Sequence, residues 1–277
     1  MKKLAIALAF VAGALAGIAR AEIGTIDPTP AATLLLPYFE VDLANPQATN
    51  TIFTVNNASE SAAVAHVTLW TDQAIPTFTF DIYLTGYDSQ TVNLSTLFVS
   101  GALPQTADNG TDTPQDTISP KGPLSQDISF PGATGPCNAV YPDPSLSAVE
   151  LRHLQRAHTG KSSPSIGGCA AAKYGDTIAR GYATIDSATT CSLAFPSDQN
   201  YFQTVADNRN ILWGDYNLAK GTDRTGKADV LVPIESCDTP GIGNGAGYCP
   251  FGSGGYTFYG RYTGDGSDQR EPLPTTF

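Results

Sequence analysis

Residues 76–85, PTFTFDIYLT, alternate without a break. Phe78, Phe80, Ile82 and Leu84 fall on one side, and Thr77, Thr79, Asp81, Tyr83 and Thr85 on the other. Successive strand side chains point to opposite faces, so this period of two fits a strand with one face in a core and does not fit a helix. Neighbouring segments follow the same rule. In LLLPYFEVDL (34–43), Leu35, Phe39, Val41 and Leu43 share one parity, and Tyr38, Glu40 and Asp42 the other. TIFTVNNASESAAVAHVTLW (51–70) reads as a hairpin, with Asn56, Asn57, Ser59 and Glu60 in the turn and Ala63, Ala65, Val67 and Leu69 on the core side of the second arm. QTVNLSTLF, ARGYATID, NILWGDYNL, DVLVPIES and GYTFYGRY supply further strands. A chain built this way is expected to be all-β, and a sandwich is the simplest way to bury one face of so many strands.

The run is interrupted once. From Gly101 to Pro144 the sequence is rich in Pro, Gly, Asp and Thr and poor in apolar residues, which predicts a long surface loop. SLSAVELRHLQRA (145–157) then spaces Leu146, Val149, Leu151 and Leu154 as one face of a helix, with Ser145 or Ser147 as its cap and Glu150 three residues after Ser147. The loop and helix together form an insertion over residues 101–174, the helix closing one edge or end of the sandwich.

The N-terminus fixes the compartment. Lys2 and Lys3 precede an apolar run to Ile18, and Ala19-Arg20-Ala21 is a small-x-small cleavage site, so residues 1–21 are expected to be a signal peptide and 22–277 a single elaborated domain. The protein is then secreted or periplasmic, and no segment has the ~20 apolar residues of a membrane span. Cleavage removes three of the 15 basic residues and no acid, leaving 12 against 26 acids, a formal charge near −14. Such a surface repels phosphate backbones, which argues against nucleic acid as a partner.

Five cysteines, Cys137, Cys169, Cys191, Cys237 and Cys249, lie in the exported part without zinc spacing, so disulfides are expected. Cys237 and Cys249 bracket a Gly-rich loop and are expected to pair. Among the other three the pairing is open, and one is left over.

Two resemblances add to this reading. FTVNN, HVTLW and QTVNL resemble strands of the immunoglobulin-like domains of exported bacterial proteins, which implies an immunoglobulin-like β-sandwich without the inter-sheet disulfide of antibodies. LLPYFEVDL, ARGYATID, TTCSL, NILWGDYN and REPLPTTF together resemble an uncharacterised family of secreted bacterial proteins. That resemblance implies one exported domain and transfers no catalytic residue. It also leads us to expect strands beyond PLPTTF, so that this chain is a short member or a fragment.

Residues able to do chemistry are few. The histidines are His66, His153 and His158; no G-x-S-x-G accompanies them, and the last two, roughly 140° apart on the helix, are read as surface residues rather than a metal pair. Asp81, Asp186 and Asp215 lie in strands, where carboxylates are uncommon, and could serve a sugar site. The acidic turns at Asp108 and Asp112 and at Asp265 and Asp268 lack EF-hand order, Gly243 to Gly255 lacks the lysine and helix of a phosphate loop, and Asn57, Asn93 and Asn109 begin N-x-[ST] triplets. Tyr38, Tyr83, Tyr182 and Trp213 stand opposite the core parity and could stack on a sugar or peptide. The candidate ligand-binding residues are therefore Trp213, Asp215 and Tyr182, with a cell-surface protein or glycan as partner and no catalytic residue, metal or cofactor assigned. The expected function is that of a secreted, non-enzymatic β-sandwich acting by surface contact, the alternative being a carbohydrate-binding module or weak glycoside hydrolase.

Overall fold

The structure, a computed structural model, describes residues 29–104, 145–163, 167–221 and 225–236, together with Tyr259 and Arg270. Within them the chain forms two antiparallel sheets. One has the order β4-β3-β6-β1-β9, built from β1 (Thr33–Asp42), β3 (Ala63–Thr71), β4 (Pro76–Leu84), β6 (Ile178–Ala188) and β9 (Val232–Ile234). The other has the order β5-β2-β7-β8, from β2 (Thr49–Asn57), β5 (Ser89–Asn93), β7 (Leu212–Lys220) and β8 (Thr225–Val230). Their facing sides share one core. Phe53 and Val55 of β2 meet Phe39 and Val41 of β1, Ala65, Val67 and Leu69 of β3, and Phe80, Ile82 and Leu84 of β4. The all-β reading and the inward parity of β3 and β4 hold.

Several local expectations are corrected. The segment 51–70 is not a hairpin: β2 pairs with β5 and β7, β3 pairs with β4 and β6, and the chain crosses between sheets at residues 58–62. The turn residues are real, since the Asn57 amide donates to the carbonyls of Ser61 and Thr85 and its Oδ1 accepts from Ser59 N–H. They close an arch, because β3 is buried on both faces and so belongs at the centre of a covered sheet. That also leaves the Asn57 amide, 2 % exposed, out of reach of any glycosylating enzyme in the folded chain.

In β1 the parity switches partway. Leu34 and Leu36 face the core, then Phe39 and Val41 do, because Pro37 and Tyr38 together oppose a single residue of β6 in a bulge. Proline has no N–H for the ladder, so a bulge is where a strand can hold one. Leu35 is accordingly turned away from the shared core.

The helix forms as its sequence predicts. α1 (Ala148–His158) begins at a full capping box between Ser147 and Glu150. Leu154 enters the core near Phe98, which lies in a π-helical turn (Thr96–Ser100) where QTVNLSTLF stops being a strand. Val149, expected on the inner stripe, is exposed. His158, expected at the surface, is fully buried between the rings of Phe39 and Phe98, its Nδ1 donating to the Arg180 carbonyl. Gly181 makes room for it: a Cβ there would meet the Trp70 carbonyl, with His158 Nδ1 and Phe39 Cζ both at 3.0 Å. Burial outweighs the bond to the Arg180 carbonyl and the charge of Asp72 and lowers the His158 pKa to about 4, so the ring is neutral.

Candidate functional site

The residues with the most reactive chemistry converge on the outer face of the five-stranded sheet. Register places Asp81, His66, Asp186 and Thr33 in one row across β4, β3, β6 and β1. Sequence parity puts His66 and Asp81 on the face away from the core, where solvent is expected. The structure covers that face. Residues 189–206 run back over it and, with Tyr259, bury Val64, Trp70 and Tyr83 in a second, smaller core that includes Tyr201, Phe202 and Val205. α2 (Tyr201–Thr204) is the one-turn helix in this covering layer.

Beneath the cover the ionisable groups are paired. Asp186, wholly buried, accepts from Tyr201 OH at 2.7 Å, from Tyr259 OH at 3.0 Å and from the Thr33 hydroxyl. Arg270, also wholly buried, lies 3.9 Å from Asp186 through Nη2 and donates to Thr33 Oγ1 at 2.9 Å and Asn208 Oδ1 at 2.6 Å. His66 Nδ1 lies 2.7 Å from Asp81 Oδ1. Burial and the nearby Asp186 charge push both tyrosine hydroxyls well above their usual pKa, so they stay protonated and can donate. The Asp81 and Asp186 carboxylates face the His66 imidazole and the Arg270 guanidinium in an interior where an unpaired charge costs several kcal/mol.

This arrangement ties distant parts of the chain together. Asp186 gathers donors from β1, from α2 and from Tyr259. Asp81 and His66 hold Ser192 N–H and the Ala194 carbonyl. Every polar atom named here is already bonded within the protein, which leaves Asp81 and Asp186 no free edge for a substrate.

The outer face of the four-stranded sheet is the opposite case. Thr91, Thr54 and Asp215 form one row across it, and Asn93, Ile52, Asn217 and Ala228 the next. Asp215 and Asn217 are exposed, and so is Ile52, at 36 %. Between these rows lies a shallow, open depression of about 400 Å³ lined by Ile52, Thr54, Asp215, Asn217, Ala228 and Val230. Trp213, half-buried, stands two residues before Asp215 on the same face of β7.

The predicted ligand residues thus divide. Trp213 and Asp215 share the open face of one sheet, whereas Tyr182 belongs to the other sheet and stacks on Trp70 at 5.8 Å with the rings 1° from parallel. Asp81 and Asp186 are held in the sealed row, so neither faces Asp215. Cys169 is a free, exposed thiol and Cys191 is disulfide-bonded. The expected pair Cys237 and Cys249, together with Cys137, the signal peptide, Asp108, Asp112, Asp265, Asp268 and the Gly243 to Gly255 segment, lies outside the described residues. Among the described residues no group of three or more His, Cys, Asp or Glu is placed to hold a metal, and no helix is long and apolar enough to cross a membrane.

Comparison with protein-family models, with curated proteins and with solved structures finds no match to this chain.

Proposed function

We propose that this is an exported, non-enzymatic protein that works by surface contact, using the outer face of the four-stranded sheet against a cell-surface protein or glycan. The observation that carries this reading is the asymmetry of the two outer faces. One is sealed over a hydrogen-bonded network of Asp81, His66, Asp186 and Arg270, and the other presents Thr, Asn and Asp side chains around Ile52 and Trp213. Short polar side chains on a rigid sheet lose little entropy on binding, which suits recognition of an extended surface. Export rests on residues 1–21, and membership of the secreted bacterial family on the sequence blocks quoted above. Within the all-β class, an immunoglobulin-like sandwich is supported by FTVNN, HVTLW and QTVNL and by the step from β2 to β3 across the sheets. A carbohydrate-binding role is the second reading, favoured by the depression beside Asp215 and Asn217.

Binding of the purified protein to intact bacterial cells tests the first reading. Ile52→Arg, in the middle of the open face, is expected to abolish binding, and Val149→Arg, on exposed helix α1, to leave it unchanged. Equal binding by both variants would contradict it. A glycan array with a signal lost on Trp213→Ala would identify the partner as a sugar.

A further inference from the structure

The network under the covering layer holds a histidine whose two ring nitrogens both face acceptors. His66 Nδ1 lies 2.7 Å from the Asp81 carboxylate, which also accepts Ser192 N–H at 2.8 Å. Nε2 lies 2.9 Å from the Ala194 carbonyl, an oxygen with no proton to give. Thr79 Oγ1, 2.7 Å from Nε2, has the Val67 carbonyl at 2.8 Å to receive its hydroxyl proton. A neutral imidazole donates through one nitrogen only, so satisfying both sides needs the imidazolium.

We propose that the His66–Asp81 pair is a proton-dependent clasp that holds residues 191–195 onto the outer face of the five-stranded sheet. Asp81 grips the stretch through Ser192 N–H, and protonated His66 grips it through the Ala194 carbonyl. Loss of the Nε2 proton would set a lone pair against that carbonyl and remove one of the two grips.

Of the charged groups around His66, the two carboxylates favour its protonation. Asp81 faces it from β4 and Asp186 from β6; the Tyr201 ring from α2 lies 5.6 Å away, its hydroxyl protonated and directed to Asp186; Arg270 and Tyr259 sit beyond Asp186. Burial alone pushes the imidazole down, but the hydrogen bond and charge of Asp81, with Asp186, more than offset it and leave the His66 pKa raised. A raised folded-state pKa means the clasp is fully engaged below the ordinary histidine value, near 6.5, and opens as pH rises through the higher folded value.

Hydrogen exchange followed by NMR on the intact protein tests this. Imidazole ¹⁵N shifts of His66 at pH 6 should show a doubly protonated ring. Between the ordinary histidine value near 6.5 and the raised folded value, the protection of the Ser192 amide, corrected for intrinsic exchange, should fall by up to about tenfold per pH unit and then level off, while Val67 in β3 stays protected. In His66→Gln the Ser192 protection should be low and independent of pH. A neutral His66 ring at pH 6, or Ser192 protection that stays flat to pH 9 with β3 intact, would overturn the proposal.

Discussion

Asp186→Ala should lower stability by about 3–5 kcal/mol, among the largest losses available to a single substitution in this chain, because it breaks a buried pair from one side. The Arg270 guanidinium would stay wholly buried without its carboxylate, and the hydroxyls of Tyr201, Tyr259 and Thr33 would lose their acceptor. Leaving such groups unmatched costs more than the bonds themselves contribute. Urea unfolding of the variant beside the wild type measures the difference. A loss under about 1 kcal/mol would show that the layer over Asp186 contributes little to the native state.

Trp70→Ala should cost about as much by a different route, roughly 3–5 kcal/mol from lost burial and the cavity left behind. Trp70 is 0 % exposed on the outer side of β3, donates from Nε1 to Thr184 Oγ1 at 2.9 Å and stacks on Tyr182. The size of the loss depends on the second core being as well packed as the first. Val149→Ala, on an exposed helix position, should stay within about 0.5 kcal/mol in the same assay. Similar small effects for both would mean that the covering residues do not pack as a core.

Strand identity and parity in β3 and β4 were legible in the sequence because period-two alternation is a local property that survives whatever the sheet packs against. The capping box of α1 was legible for the same reason, since Ser147 and Glu150, three residues apart, bond each other's backbone N–H. Pairing was not legible. Whether Asn56 to Glu60 close a hairpin or an arch depends on which strands arrive later, and β6 and β7, the partners of β3 and β2, come more than a hundred residues further on. The site was half legible. Parity alone placed His66 and Asp81 each on the non-core side of its own strand, and Trp213 with Asp215 on one face of another. Nothing in the local pattern said that residues 189–206, Tyr259 and Arg270 would return to cover the first face and leave the second open. The signal present is compositional: Val64 and Trp70 occupy the same parity as His66, and a solvent-facing strand seldom carries two such residues on one face.

One outer face is sealed and the other open, and the chain's two tryptophans mark one of each. Trp70 lies wholly buried in the second core, and Trp213 stands on the open face of β7. Titration of the native protein with N-bromosuccinimide, followed by peptide mapping, reads both at once. The structure predicts that the native chain oxidises at Trp213 alone and that Trp70 reacts only after unfolding in urea. Oxidation of Trp70 in the native protein, at a rate equal to or above that of Trp213, would contradict the sealed face and with it the assignment of the four-stranded sheet as the contact surface.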